Sequence, residues 1–258
     1  MKKLPVFLFA AFAVTLMGCA TSSSVAAAAP DASSRLKIVA IAEACTTNRY
    51  VMSGRNASNA IAAAGYLPII LSDISDTNLL AQAMDRVDAL VLTGSVKGDA
   101  YRHRIAFEHM LIRMALERGK PVLGFCHGHQ CINLFFGGTV TPLDPKRTPP
   151  LVHRSKEAPS VRHCFHMIDI KPGSHLAEGY GATRYKVNSS HGYRVEQPGK
   201  GIVVTARAED GTVEAIEHES LPVTGFQFHP EAIFDLDERH LRVIKDALEH
   251  PAAGRKLP

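Results

Sequence analysis

The chain has 258 residues, 46% of them hydrophobic, with 29 Lys and Arg against 25 Asp and Glu. That is enough apolar material for one α/β core. The formal net charge of +4 drops by two when Lys2 and Lys3 are set aside as leader residues; so small a balance gives no ground for a nucleic-acid partner, and none is expected.

Residues 1–18 read as a signal peptide rather than as fold. Lys2-Lys3 is a positive n-region, and Val6 to Met17 is an apolar h-region too short for a membrane span. Leu16-Met-Gly-Cys19 resembles a bacterial lipobox, whose cysteine is lipidated and becomes the first residue of the mature chain. A plain secretory signal and an uncleaved anchor are the alternatives. Acyl chains on Cys19 would tether the protein to a membrane of the bacterial cell envelope, facing the periplasm. Residues 19–35, rich in Ala and Ser around Pro30, read as a flexible tether. The domain is expected over residues 36–250, with a tail at 251–258.

Leu36 to Ile41 is a buried-strand candidate. Ser53 to Ala64 reads as a helix, with Ala57, Ala60, Ile61 and Ala64 on one face and Gly65 as its stop. Tyr66 to Leu71 is a second strand, Asn78 to Met84 a short helix, and Ala89 to Leu92 a third strand. Arg102 to Arg118 is the clearest helix, with Phe107, Met110, Leu111 and Met114 at i, i+3, i+4 and i+7. Strands alternating with helices imply a parallel sheet covered on both faces.

Pro121 to Phe125 reads as the next strand, and it stops at Cys126-His127-Gly128 before a helix-like segment that ends at Gly137-Gly138. Gly124-Phe-Cys-His-Gly128 thus has the form Gly-x-nucleophile-x-Gly on a strand-to-helix turn. Such a turn thrusts the nucleophile outward while its neighbours come close to backbone, where a Cβ would clash. The helix N-terminus beside Cys126 suits a thiolate and a developing oxyanion.

Beyond Gly138 the texture changes. Thr139 to Val161 carries five prolines and reads as a long surface loop near the pocket. Ile202 to Arg207 and Val213 to Glu217 flank Asp210-Gly211 as a hairpin. Val223 to Phe228 is another strand, and Asp237 to Glu249 a closing amphipathic helix. His229-Pro-Glu231 follows the last strand. On an extended chain His229 and Glu231 would face one side, with Pro230 stiffening the pair. A cysteine nucleophile needs a base, and the base needs a group that fixes its orientation.

Gly-x-Cys-x-Gly-x-Gln (Gly124 to Gln130) and His-Pro-Glu (His229 to Glu231) together resemble the signatures of the class I glutamine amidotransferase superfamily. Within it, the chain is most similar to the γ-glutamyl-γ-aminobutyrate hydrolase group of γ-glutamyl peptidases. Pro121 to Gly138, His166-x5-Pro172-Gly-Ser174, Val187-Asn-Ser-Ser-His191 and Gly225 to Glu231 carry that similarity. The resemblance implies a flavodoxin-like, mostly parallel sheet flanked by helices, with an additional antiparallel strand region. It implies Cys126 as nucleophile, His229 as general base and acid, and Glu231 as its orienter. The backbone N–H of His127 and that of Gly94 or Ser95 would form the oxyanion hole. Gln130 would help hold the γ-glutamyl group, and His191 would line the pocket. The expected partner is a small γ-glutamyl substrate, cleaved through a thioester with no metal or organic cofactor. A homodimer is compatible with the sequence, which does not fix the oligomeric state.

The chain departs from the group's pattern at three positions. His127 stands where Arg is common, His129 where Met is common, and Gly94-Ser95 where the group has Gly-Gly. Cys126, His127, His129 and Cys131, with His163-Cys164-x-His166, offer zinc-type ligands, but their spacing matches no common zinc pattern. His129, His163 and His166 read instead as hydrogen-bonded pocket or core residues. Cys45 and Cys164 could pair only if the fold brings them together. Two other functions stay open: the glutaminase half of a synthase, feeding ammonia to a partner, and a non-catalytic binding lipoprotein on the same scaffold.

Overall fold

The computed structural model describes residues 35–42, 51–94, 101–144, 146, 151–154 and 160–249. Each apolar run in the first half becomes a strand or the inner face of a helix. In order these are β1 (Ile38–Ala42), α1 (Val51–Ala63), β2 (Leu67–Leu71), α2 (Thr77–Arg86), β3 (Ala89–Leu92), α3 (Tyr101–Glu117), β4 (Val122–Phe125) and α4 (His127–Phe135). The start of α2 has a local cause: Asp76 Oδ1 accepts from the N–H groups of Asn78 and Leu79 at 2.9 and 3.1 Å, satisfying two first-turn donors.

The second half contains β5 (Thr139–Pro142), β6 (Phe165–Ile170), α5 (His175–Tyr180), β7 (Arg184–Asn188), β8 (Tyr193–Gln197), β9 (Ile202–Ala208), β10 (Val213–His218) and β11 (Val223–Phe226). A 3-10 turn over Pro230–Ala232 and α6 (Glu238–Glu249) close it. Nine strands form one sheet in the order β2-β1-β3-β4-β11-β10-β9-β6-β7, and β5 pairs with β8 in a separate ribbon. The run from β2 to β11 is parallel. From β11 to β7 every pairing is antiparallel. This is the flavodoxin-like class I glutamine amidotransferase fold, a mostly parallel half joined to antiparallel strands.

The strands are apolar on both sides because both sides are covered. Val39 and Ile41 of β1 join Ala57 and Ile61 of α1 and Ile244 of α6 in one core layer. Ala40 and Ala42, their neighbours in the same strand, join Leu80 of α2, Leu111 of α3 and Ile132 of α4 in the other. The period of two divides each strand between two layers.

Two expectations are corrected. Thr139 to Val161 is not one long loop, since its first four residues form β5, held by β8. The strand expected over Val223 to Phe228 ends at Phe226, and His229-Pro-Glu231 is not extended. Pro230 opens a helical turn instead, a position its fixed φ favours. The signal, tether and tail (residues 1–34 and 250–258), with Cys19, Cys45 and Ser95, lie outside the described residues. Among the described residues no helix is long and apolar enough to cross a membrane.

Candidate active site

β4 delivers Cys126 to the end of the sheet. Cys126 has φ 51° and ψ −98°, and among the described residues no other non-glycine has a positive φ. Such a backbone costs about 1–3 kcal/mol and persists only where its surroundings impose it. The imposing contacts are identifiable. The Cys126 N–H donates to the Phe226 carbonyl at 2.7 Å, and its own carbonyl accepts from the Gln130 N–H at 3.2 Å, opening α4. A Cβ on Gly124 would lie 2.5 Å from the Gly128 carbonyl carbon, and one on Gly128 would lie 2.4 Å from the Leu92 oxygen. Glycine is required at both positions by space, as the sequence pattern suggests.

β11 lies beside β4 in parallel register, with Gly225 opposite Gly124 and Phe226 opposite Phe125. The residues just beyond β11 therefore arrive beside the elbow. His229 is 8% exposed, Cys126 7% and Glu231 2%. The His229 ring is hydrogen-bonded to the Cys126 thiol. Its Nδ1–H donates to Glu231 Oε1 at 2.7 Å, leaving the other ring nitrogen for the sulfur. Burial works against charge on this ring, but the Glu231 carboxylate and the Cys126 sulfur prevail and hold its pKa well above the ordinary histidine value. The 3-10 turn, rather than an extended strand, is what folds Glu231 back onto His229.

Asn188, the last residue of β7, grips the backbone of His229 from both sides. Its Nδ2 donates to the His229 carbonyl at 2.9 Å, and its Oδ1 accepts the His229 N–H at 3.1 Å. Sequence analysis assigns this residue no role. It sits inside Val187 to His191, a stretch picked out by family similarity, but only the fold reveals which backbone its amide meets.

His127 begins α4, which places its backbone N–H at the helix N-terminus next to Cys126. Its side chain turns away from the sulfur, and Nε2–H donates to Glu108 Oε2 at 2.7 Å. Arg104 Nε donates to Glu108 Oε1 at 2.7 Å, and Arg104 Nη2 donates to the carbonyl and hydroxyl oxygens of Thr93 at 3.1 Å. Burial alone would raise the Glu108 pKa, yet His127 and Arg104 pull it down to about 2. Arg104 and Glu108 were missed because an i, i+4 pair on α3 looks like any solvated pair until α4 is packed against it. Gly94 lies two residues beyond the end of β3, whose Leu92 is in register with Gly124; Ser95 is outside the described residues.

Gln130 is 4% exposed. Its Nε2 donates to the Tyr193 carbonyl at 3.0 Å and to Gln227 Oε1 at 2.9 Å. His129 packs against Gly225, and burial pushes its pKa down to about 4. His163 lies outside the core, bonded through Nδ1 to Ser160 Oγ at 2.8 Å. The Cys164 thiol donates to the Val152 carbonyl at 3.2 Å; its proposed mate, Cys45, is not described.

Among the described residues, two groups of side chains have the composition of a metal site. One is Glu108, His127 and Cys131. There Arg104 and His127 already occupy the carboxylate, and burial together with Glu108 pushes the Cys131 thiol well up, so this is an ion-pair network. The other is His153, His166, His191 and Glu214. It buries His191 among ligand-type atoms, next to the Tyr193 carbonyl that Gln130 also uses.

Comparison with known proteins agrees with the fold. The family model for Peptidase C26 matches residues 34–231. The glutamine amidotransferase-like protein YvdE of Lactococcus lactis is 30% identical over 191 residues, covering 69% of this chain and 80% of YvdE. Anthranilate synthase component 2 of Methanothermobacter marburgensis is 40% identical over 119 residues, covering 44% of this chain and 50% of its own. In fold, a glutamine amidotransferase from Thermotoga maritima superimposes with a TM-score of 0.57 at 16% identity, covering 84% of this chain and 85% of its own.

Proposed function

The chain belongs to the Peptidase C26 family, and from that premise we propose that it is a cysteine-dependent hydrolase of γ-glutamyl amide bonds in small γ-glutamyl amines or peptides. The observation that carries this reading is the buried assembly of Cys126, His229 and Glu231 on the glycine-bracketed elbow. Cys126 attacks the γ-carbonyl carbon as thiolate, its proton held on His229. The oxyanion accepts from the N–H groups of His127 and of Gly94 or Ser95. As the tetrahedral centre collapses, the carbon–nitrogen bond breaks, and His229 gives its proton to the leaving amine. A γ-glutamyl thioester remains on Cys126. Water then gives a proton to His229 and attacks the thioester, releasing glutamate and restoring the thiol. Glu231 keeps the ring oriented and stabilises its charge throughout. Gln130, bonded to Tyr193 and Gln227, forms part of the wall against the γ-glutamyl group.

The test is mass spectrometry of acid-quenched reactions with a panel of γ-glutamyl amides. A glutamyl adduct on Cys126 and accumulating free glutamate are expected, and both should vanish in Cys126→Ala. A folded, reduced enzyme that cleaves none of the panel and traps no adduct would return the chain to the reading of a binding protein. The similarity to an anthranilate synthase component favours a second reading, a glutaminase that feeds ammonia to a partner. Glutamine hydrolysis that rises only when another protein is added would select it.

Location belongs to the same proposal: the lipobox-like stretch at Leu16 to Cys19 supports an envelope-anchored enzyme. Cys19→Ser should abolish acylation and leave the signal uncleaved. A variant that fractionates and migrates like the parent rules the anchor out.

A further inference from the structure

His153, His166, His191 and Glu214 come from four separate parts of the chain and meet in the interior. Their relative exposures are 4%, 5%, 4% and 0%. Glu214 Oε1 lies 3.4 Å from His153 Nδ1, 3.5 Å from His166 Nε2 and 3.4 Å from His191 Nε2. None of these three nitrogens, and neither oxygen of Glu214, has a hydrogen-bond partner among the protein atoms described.

The opposite edge of each ring explains which atoms are left over. His153 Nε2 is bonded to Asp210 Oδ2 at 3.1 Å, His166 Nδ1 to the Met167 carbonyl at 3.2 Å, and His191 Nδ1 to the Tyr193 carbonyl at 3.0 Å. Each of those partners is an acceptor, so each ring spends its N–H there. The three remaining nitrogens present lone pairs, and they converge on a carboxylate oxygen that is itself an acceptor. Four acceptors gathered in a dry interior repel one another unless a cation, or a proton on His153 that Glu214 and Asp210 favour, stands between them. The pattern of a ligating imidazole whose second nitrogen donates to a carboxylate or backbone carbonyl is the usual outer shell of a metal site.

The backbone is adapted to this arrangement. In a regular strand Val213 and Ala215 would face the same way, yet they are buried in opposite core layers. The register with β9 slips between them. It slips back between Ala215 and Ile216, so Glu214 sits in a local irregularity of the ladder, and such irregularities re-aim side chains.

We propose that these four side chains form a structural zinc site. A tetrahedral ion with bonds of about 2.0–2.1 Å to nitrogen and oxygen sets its ligand atoms about 3.3–3.4 Å apart. The three separations from Glu214 Oε1 fit that edge. Three neutral imidazoles and one carboxylate make a closed, four-coordinate set with no protein position left open, which marks a structural rather than a catalytic ion. Zinc would fasten the proline-rich segment, through His153, to β6, β10 and the turn before β8. The Tyr193 carbonyl joins this site to the elbow, because it accepts from both His191 Nδ1 and Gln130 Nε2 at 3.0 Å. This departs from the metal-free expectation, which rested on ligand spacing along the sequence. It also gives His191 a role other than lining the substrate pocket. The assignment stands independently of the hydrolase reading.

The test is elemental analysis of the full chain purified without a metal-affinity tag. About one zinc per chain is expected, at least tenfold less in Glu214→Gln and in His166→Ala, and undiminished in Cys126→Ala. If those two variants fail to fold, wild-type protein stripped with a chelator and titrated with Co(II) serves instead. It should develop the intense visible bands of tetrahedral cobalt, saturating near one equivalent, and its melting temperature should rise on adding Zn(II). A folded wild-type chain that holds no zinc and gives no cobalt spectrum overturns the proposal. So does zinc retained equally in both folded ligand variants, or a different metal found in stoichiometric amount.

Discussion

His229→Ala should lower kcat by about a thousandfold or more with folding intact, whereas His127→Gln should lower it by about tenfold at most. The two histidines are near the same sulfur, and the family resemblance gives them different roles. The geometry fits that division. The His229 ring contacts both the thiol and Glu231, so its loss removes the proton carrier for both half-reactions. The His127 ring is committed to Glu108 in the interface between α3 and α4, and only its backbone N–H is assigned to the reaction. Glutamine keeps an N–H for Glu108, whereas alanine at this position would leave that carboxylate to Arg104 alone and confuse stability with catalysis. Steady-state kinetics on the two variants, with circular dichroism to check folding, measures the difference. Equal and near-total losses in both would make His127 the base and overturn the assignment.

Gly128→Ala should cost about 3 kcal/mol or more in stability, equivalent to a melting temperature lower by about 10 °C for a chain of this size. The new Cβ would lie 2.4 Å from the Leu92 oxygen and 2.7 Å from its Cβ. These atoms belong to the middle of the sheet, and no flexible side chain can give way. Gly192→Ala is the internal control, since a Cβ there meets nothing within 4 Å; it should melt within a degree or two of the parent. Thermal melts of the three proteins check the prediction. A Gly128 variant that melts with the parent would show that the elbow and β3 are not packed as described.

What could be read in advance follows from the range over which each signal acts. The parallel half was legible because local periodicity decides it: the faces of α1 and α3 and the apolar runs of β1, β3 and β4 are written within short windows. Cys126 and His229 were legible because each sits in a compact motif whose chemistry demands its neighbours. β5 and β8 were not, because they hold only one another, and the prolines of Thr139 to Val161 mask a strand of four residues. Asn188 and Gln227 escaped for another reason. An amide side chain has no periodic signature, and its meaning depends on a backbone far away: Gln130 and Gln227 meet across 97 residues of sequence. The histidines were seen, but not their full company. Sequence proximity put His127, His129 and Cys131 side by side; the fold joins His127 and Cys131 to Glu108, and gathers His153, His166 and His191 around Glu214 of β10.

The place of β11 in the sheet sets an order of events in the life of the molecule. Among the described residues it is the last strand along the chain, yet it inserts between β4 and β10 rather than adding to an edge. Until it arrives, β4 and β10 each present an open edge, and such edges invite pairing with other chains. Closing that gap requires contacts of long sequence separation, which slows folding. The same step brings His229 to Cys126. The thiol therefore gains its partner only when the sheet is closed. On the proposed reading, completion of the fold and the onset of reactivity are one event.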